Sequence, residues 1–201
     1  NLVAWYRALP TEDLAYGKSV TVSSTFDDTG VYAGNYITDG PDTMYQDGRE
    51  KTRWASSTAA GPHWFYVDLG QPTKFDTVSI DWEIAVGNGY TISVSDDAST
   101  WTPVCTIDAG EAAGYAGARA VHSFAPVTAR YVKLDAPGGV QTLHISLYDF
   151  NILSSEHFNV SASVNEPSYG AVIGIDDYVK EDFVQLTAIP NDGYRFVSWT
   201  D

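Results

Sequence analysis

With 201 residues, 44% of them hydrophobic and 13% aromatic, the chain has enough apolar surface to bury a core, which excludes a largely disordered polypeptide. Its 26 acidic residues against 11 Lys and Arg leave a net charge of −15 with no basic cluster to engage phosphates, so nucleic-acid binding and charge-driven attachment to anionic lipid are excluded. The single cysteine, Cys105, rules out an intrachain disulfide and reads as a small buried hydrophobe, and no apolar run is long enough to insert across a bilayer.

In chain order, residues 1–13 form a lead-in of mixed character, and a β texture begins with KSVTVSST from Lys18. Residues 27–52 are rich in Gly, Asp and Asn and must be mostly loop; a connection this long in a compact domain has a binding or metal-site reason. Period-two alternation then marks half-buried strands in WFYVDLG, where Phe65, Val67 and Leu69 share a face, in TVSIDWE (Val78, Ile80, Trp82) and in YTISVSDD (Tyr90, Ile92, Val94). Asp96 and Asp97 read as a hairpin turn. TPVCTI, AVHSF, RYVKLD and HISLYDFNIL follow, with residues 110–120 read as a glycine-rich loop between them. In HISLYDFNI the apolar phase changes near Leu147, so this strand is either covered on both faces or bulged. Many short strands without a helical period make the chain all-β, a sandwich or barrel. SSEH at 154–157 is a joint, and 158–201 is a second, small, repeat-like β unit. The chain begins and ends abruptly, as expected of a piece of a longer protein whose targeting signals lie outside it.

No nucleotide loop, nucleophile elbow or paired-histidine zinc motif is present, so a non-catalytic role is expected. Two kinds of site are suggested instead. Asp39, Asp42 and Asp47 each lie beside a Gly or Pro that forces a turn, and the resulting mixture of carboxylates and exposed carbonyls is what Ca²⁺ takes. Sugars present flat C–H faces to aromatic rings and hydroxyls to planar polar groups, which makes Tyr32, Tyr36, Tyr45, His63, Trp64, Glu83, Asn88, Tyr115 and Arg119 the candidates in or beside loops. Trp54, Trp82 and Trp101 are assigned to core packing.

Seven segments in order resemble the bacterial family 32 carbohydrate-binding modules, also called the F5/8 type C or discoidin-like domain. They are LAYGKSVTVSS (14–24), TRWASS (52–57), HWFYVDLGQP (63–72), FDTVSIDWE (75–83), YTISVSDDASTW (90–101), ARYVKLDAP (129–137) and HISLYDFNIL (144–153). The resemblance implies an eight-stranded, galactose-binding-like jelly-roll sandwich over 14–153, one structural Ca²⁺ and a glycan site in loops at one end. It carries the metal over to Asp39, Asp42, Thr52 and Asp149, with Asp47 as the rival because Asp47-Gly48 also has the family spacing to Thr52, Arg53 and Trp54. It carries the sugar-contacting acid over to Glu83, but the aromatic usual after that acid is replaced by Ile84, Ala85 and Val86, which leaves Tyr45 or Trp64 as the candidate substitute platform. FNVSASV, the turn at 170–174 and VQLTAIPNDGYRFVSWTD similarly resemble divergent InlB B-repeats, which act as spacers or adhesive stalks. The resulting expectation is a calcium-stabilised, monomeric, secreted or cell-surface module that targets a bacterial glycoside hydrolase to galactose-type glycans. The alternative is an adhesion or spacer module.

Overall fold

The computed structural model describes residues 13–40, 51–59, 61–137, 144–155, 157–160, 162–174, 176–179 and 185–199. Asp42, Tyr45 and Asp47, and the lead-in before Asp13, lie outside them. The chain divides into a larger compact unit within 10–154 and a smaller one within 155–201.

The larger unit is a jelly-roll sandwich built from β1 (Ser19–Val22), β2 (Trp54–Ala55), β3 (His63–Trp82), β4 (Tyr90–Ser95), β5 (Thr102–Ile107), β6 (Arg119–Ala136) and β7 (Ser146–Leu153). The segments read as separate strands at 63–69 and 77–83 are one continuous β3, and AVHSF and RYVKLD are one continuous β6. These two strands pair along nearly their whole length, from His63 opposite Ala136 to Asp81 opposite Arg119, with register shifts at Asp68/Thr73 and Phe75/Thr77. Those shifts let both strands pass from one layer into the other. The first half of β3 pairs with β1 and the second half of β6, which also pairs with β4 and in turn β5; its second half pairs with β7, and β7 with β2. Bulges and the exposed Gly70-Gln71-Pro72 corner, where Gly70 takes φ +88° and donates its N–H to Asp68, thus replace an additional turn. Seven strands therefore build the two layers.

Alternation decides what lies between the layers. Phe65, Val67, Val78, Ile80, Val132, Leu134, Ile92, Phe150 and Ile152 point inward and are buried, joined by Trp54 and Trp82. Each such aliphatic side chain contributes about 1.5–3 kcal/mol through burial. The phase change in β7 is a bulge: Leu147 pairs with Trp82 and Asp149 with Asp81, so Tyr148 is the extra residue. Asp97 closes the β4–β5 turn by accepting from the N–H groups of Ser99 and Thr100. Two further expectations are corrected. Residues 109–113 form a short helix α1 (Ala109–Ala113) rather than loop, because Asp108 caps it by accepting from Gly110 and Glu111 N–H and offsets the cost of glycine. Trp101 lies half-buried beside the outward-facing Tyr66 instead of in the core. Cys105 is half-buried against the core, where burial raises its thiol pKa.

In the smaller unit β8 (His157–Val160) pairs with β10 (Asp176–Val179), and β9 (Gly170–Ile173) with β11 (Thr187–Pro190). No side chain described in 162–174 or 185–199 is buried, although Tyr169 and Tyr194 stack at 4.7 Å.

Candidate functional site

Because β3 changes layers midway, its first residue, His63, and Glu83, the residue just past its end, come to the same end of the sandwich. His144, just before β7, is within electrostatic reach of both and of Arg53. The segments here are stitched by backbone hydrogen bonds: Phe26 N–H to Ala55 O, Glu83 N–H to Ser146 O, Ser146 N–H to Ala85 O and Gly117 N–H to Glu83 O. On this frame Glu83 Oε1 lies 3.5 Å from Arg53 Nη1, while its Oε2 accepts the Ala85 N–H at 3.1 Å. The Arg53 guanidinium stands over the Tyr32 ring at 5.2 Å, and Phe26 packs edge-on against both Tyr32 and His144, each at 5.3 Å. Partial burial holds the His144 pKa below its ordinary value. His63 is buried beneath this group, and Phe26 is 42% exposed at its rim. The result is a half-open patch with a carboxylate and a guanidinium already in fixed orientation and two aromatic rings beside them. It can accept and donate to neighbouring hydroxyls while a ring covers an apolar ligand face.

A second group lies on the outward side of the β3–β7 ladder. Asp149 is fully buried and its Oδ1 has no hydrogen-bond partner. Burial, reinforced by the charges of Asp13 and Asp39, raises its carboxyl pKa to about 7. The Asn151 amide donates to both Asp149 Oδ2 and Asp13 Oδ2, and Asp13 Oδ1 accepts the N–H groups of Ala15 and Ile152, both at 2.9 Å. Burial also raises the pKa of Asp13 and Asp39. Thr52 Oγ1 donates to Asp39 Oδ2 at 2.8 Å, tying the strand-edge residue to the loop. Among the described residues no group of three or more His, Cys, Asp or Glu side chains is gathered tightly enough to count as a metal centre. The all-oxygen composition and the orphaned, desolvated Asp149 oxygen nonetheless fit a hard divalent cation.

Comparison with known proteins interprets the first group. Chitosan-binding module 1 of a chitosanase/glucanase from Paenibacillus sp. IK-5 superimposes with a TM-score of 0.60 at 30% identity, over 71% of this chain and 99% of that one. The model of the F5/8 type C, NedA-like galactose-binding domain matches residues 44–134. The chain belongs to the F5/8 type C, discoidin-like carbohydrate-binding modules. Module 2 of the same Paenibacillus enzyme, solved with chitotriose, aligns at 29% identity and TM-score 0.60 over 71% of this chain and all of that one. A Clostridium perfringens module in complex with GalNAc-β-1,3-galactose shares the fold at 19% identity and TM-score 0.57, covering 71% of this chain and all of its own. The divergent InlB B-repeat model matches residues 160–201, and comparison with curated protein sequences returned no match. The chain is thus a non-catalytic carbohydrate-binding module whose partners are glycans, followed by a B-repeat-like segment. Among the described residues no helix is long and apolar enough to cross a membrane.

The candidate sugar residues of this module are distributed unequally. Glu83, His63 and Tyr32 converge at the loop end. Asn88 is exposed in the adjoining 84–89 loop, and Tyr36 is half-buried in the short 3-10 turn Gly34–Ile37. Arg119 lies 3.9 Å from Asp81. Tyr115 donates to Glu111 Oε1 at 2.9 Å and packs on His122, which is buried and bonded to Tyr90 Oη at 2.7 Å. Trp64 adjoins His63 in sequence, so it faces the opposite side of the strand, stacked with Tyr66. Of the candidate metal residues, Asp39, Thr52 and Asp149 are related as described above. Phe26, Arg53 and His144 were not among the sugar candidates, and neither was Asp13 among the metal ones. Arg53 sits in the Thr-Arg-Trp motif and was open to detection there. Phe26 and His144 come together only through the fold.

Proposed function

We propose that the loop-end patch binds the terminal residue of a galactose-type glycan, with Glu83 and Arg53 taking sugar hydroxyls and Tyr32 or Phe26 covering the apolar ring face. The reading rests on the Arg53–Glu83 pair held under the Tyr32 ring, since a paired carboxylate and guanidinium beside an aromatic face match a pyranose better than an ion or a peptide. The family match to a galactose-binding domain supports the choice of sugar. Ile84, 72% exposed where an aromatic is usual, leaves Tyr32 and Phe26 as the rings in place. Calorimetric titration with galactose, lactose and GalNAc-β-1,3-galactose tests the proposal; saturable binding weakened by Glu83→Ala and Arg53→Ala is expected, and silence with all three sugars refutes it.

A second reading, a glucosamine-type ligand, is favoured by the 30% identity to a chitosan-binding module. Chitotriose in the same titration separates the two, because an amino sugar would lean on the Glu83 carboxylate and lose little on Arg53→Ala.

The carboxylate group is proposed to hold one Ca²⁺ through Asp149, Asp39 and Asp13, with Thr52 orienting Asp39; Asp42 and Asp47 are further candidates outside the described residues. Bound there, the cation supplies the positive charge that Asp149 lacks and pins the 37–40 segment to β7. Chelation should lower the melting temperature, and an unchanged melting temperature refutes the assignment. The chain is further proposed to be secreted or cell-surface-borne and to target a bacterial glycoside hydrolase, with the B-repeat-like segment as spacer. An adhesive role of the chain, suggested by that segment, predicts cell or matrix binding that free sugar fails to compete.

A further inference from the structure

The outward face of the layer β1–β3–β6–β4–β5 carries aromatic side chains that the core does not need. Phe65, Val67, Val132 and Leu134 fill the inward side of β3 and β6. Their outward neighbours are Trp64, Tyr66, Tyr131 and Lys133, with Trp101 beside them immediately before β5. A solvated sheet face ordinarily carries polar residues, as Thr21, Thr91 and Thr106 do here. The Trp64 and Tyr66 rings are parallel within 5° at 6.0 Å, and Tyr66 lies 5.6 Å from Trp101 and 5.9 Å from Tyr131. All four rings are half-buried. Lys133 Nζ stands 5.3 Å from both the Trp64 and Trp101 rings and 2.6 Å from Asp135; Arg130 lies 4.9 Å over Tyr131 and forks onto Asp68 with two bonds of 2.8 Å.

The chemistry of this face selects its occupant. Each cation is matched by a carboxylate, so the face has no net charge, and the chain's charge of −15 repels polyanions, nucleic acid and anionic lipid alike. Aromatic rings interleaved with fixed carboxylate, guanidinium and ammonium groups offer a ring-stacking surface and hydroxyl partners side by side. The four rings are spread over the sheet face, with Trp64, Trp101 and Tyr131 each beside Tyr66, an arrangement that suits an extended ribbon. We propose that this face, separate from the loop-end patch and independent of it, is a second glycan surface that takes an uncharged β-1,4-linked chain, whose equatorial substituents leave broad C–H faces on successive sugars.

The test uses the full chain with cellohexaose and N-acetylchitohexaose as probes, followed by tryptophan emission and calorimetry. Two variants separate the surfaces: Glu83→Ala at the loop end, and Trp64→Leu with Trp101→Leu, which keeps apolar cover on the sheet while removing the indoles. A melting scan establishes that each variant is folded, and Tyr131→Ala serves as a second face variant should the double substitution unfold. Hexasaccharide binding that survives Glu83→Ala and weakens about tenfold in the face variants supports the proposal. No hexasaccharide binding by the parent chain, or binding lost in Glu83→Ala and unchanged in the face variants, overturns it and leaves the loop-end reading standing. Binding confined to the face, with every galactoside and chitotriose silent, overturns the loop-end reading and leaves this one.

Discussion

The loop-end patch and the carboxylate group handle charge in opposite ways. At the loop end Glu83 is half-exposed and faces Arg53, so its charge is answered inside the protein and the pair remains open to hydroxyls. Asp149 is buried, its charged neighbours Asp13 and Asp39 are also acids, and hydrogen bonds from the Asn151 amide and the Phe150 N–H offset only part of the burial. A rise in pKa to about 7 corresponds to a penalty on the order of 4 kcal/mol for the ionised form at neutral pH. The contrast teaches that acids on the same sandwich can have unrelated purposes, and that burial and the sign of the neighbours separate them where residue type does not.

The largest expected effect tests the buried side of this contrast. A carboxyl whose folded pKa is raised favours the protonated folded state, so in chelator its stabilising protonation is present near pH 4 and lost as pH rises toward 7. Metal-free protein should therefore lose stability across that window, by up to about 4 kcal/mol in urea unfolding. Below it the trend reverses, because Asp68, held low by its bonds to Arg130, and Asp97, held low by its turn N–H bonds, must then be protonated. His122 and His144, held low by burial, contribute an opposite slope in this window, so the comparison is with Asp149→Asn: a profile between pH 4 and 7 identical to that variant's would contradict the assigned environment of Asp149. Next, calcium at about a hundredfold over its dissociation constant should add about 3 kcal/mol at pH 7.5, with Asp149→Asn removing the gain and the larger part of the pH slope, while Asp13 and Asp39, also raised by burial, keep the rest. Differential scanning calorimetry reads both.

The smaller effects test the open side. Glu83→Ala should cost about 2 kcal/mol of sugar affinity by calorimetry and lower the melting temperature less than Asp149→Asn does in calcium, since the acid is partly exposed and outside the core. Tyr32→Ala removes a ring face and the Arg53 contact and should cost about 1 kcal/mol. Should Glu83→Ala instead lower the melting temperature as far as Asp149→Asn does in calcium, the two regions would no longer be distinct in kind.

Much of the sandwich was legible because alternation is local: Phe65-Val67-Leu69 and Ile92-Val94 announce their faces without reference to any partner. Continuity was not. Nothing in QPTK at 71–74 says that β3 resumes the same ladder, because that depends on β6 crossing layers at the same point. The short helix at Ala109 was hidden by its glycines, and the Asp108 cap that rescues it is a single residue among many acids. At the site, Glu83 and Tyr32 were readable from loop position and chemistry. Phe26 and His144 meet only after residues 118 positions apart are brought together, and Asp13 acquires meaning only through its bridge to Leu153. Trp101 misled because strand-adjacent tryptophans usually pack inward, whereas the Lys133 ammonium gave it a place outside.

The order in which β7 is used has a consequence for the way such a chain is born. It is the last strand of the sandwich, yet it lies between β2 and β3, pairs Leu153 with Asp13 and supplies Asp149. A nascent chain halted anywhere before residue 146 would leave the centre of one layer open, with Ile80 and Val78 lacking cover. The layer is complete only once the final strand is in place, so premature termination is expected to yield an open, sticky edge rather than a smaller version of the module.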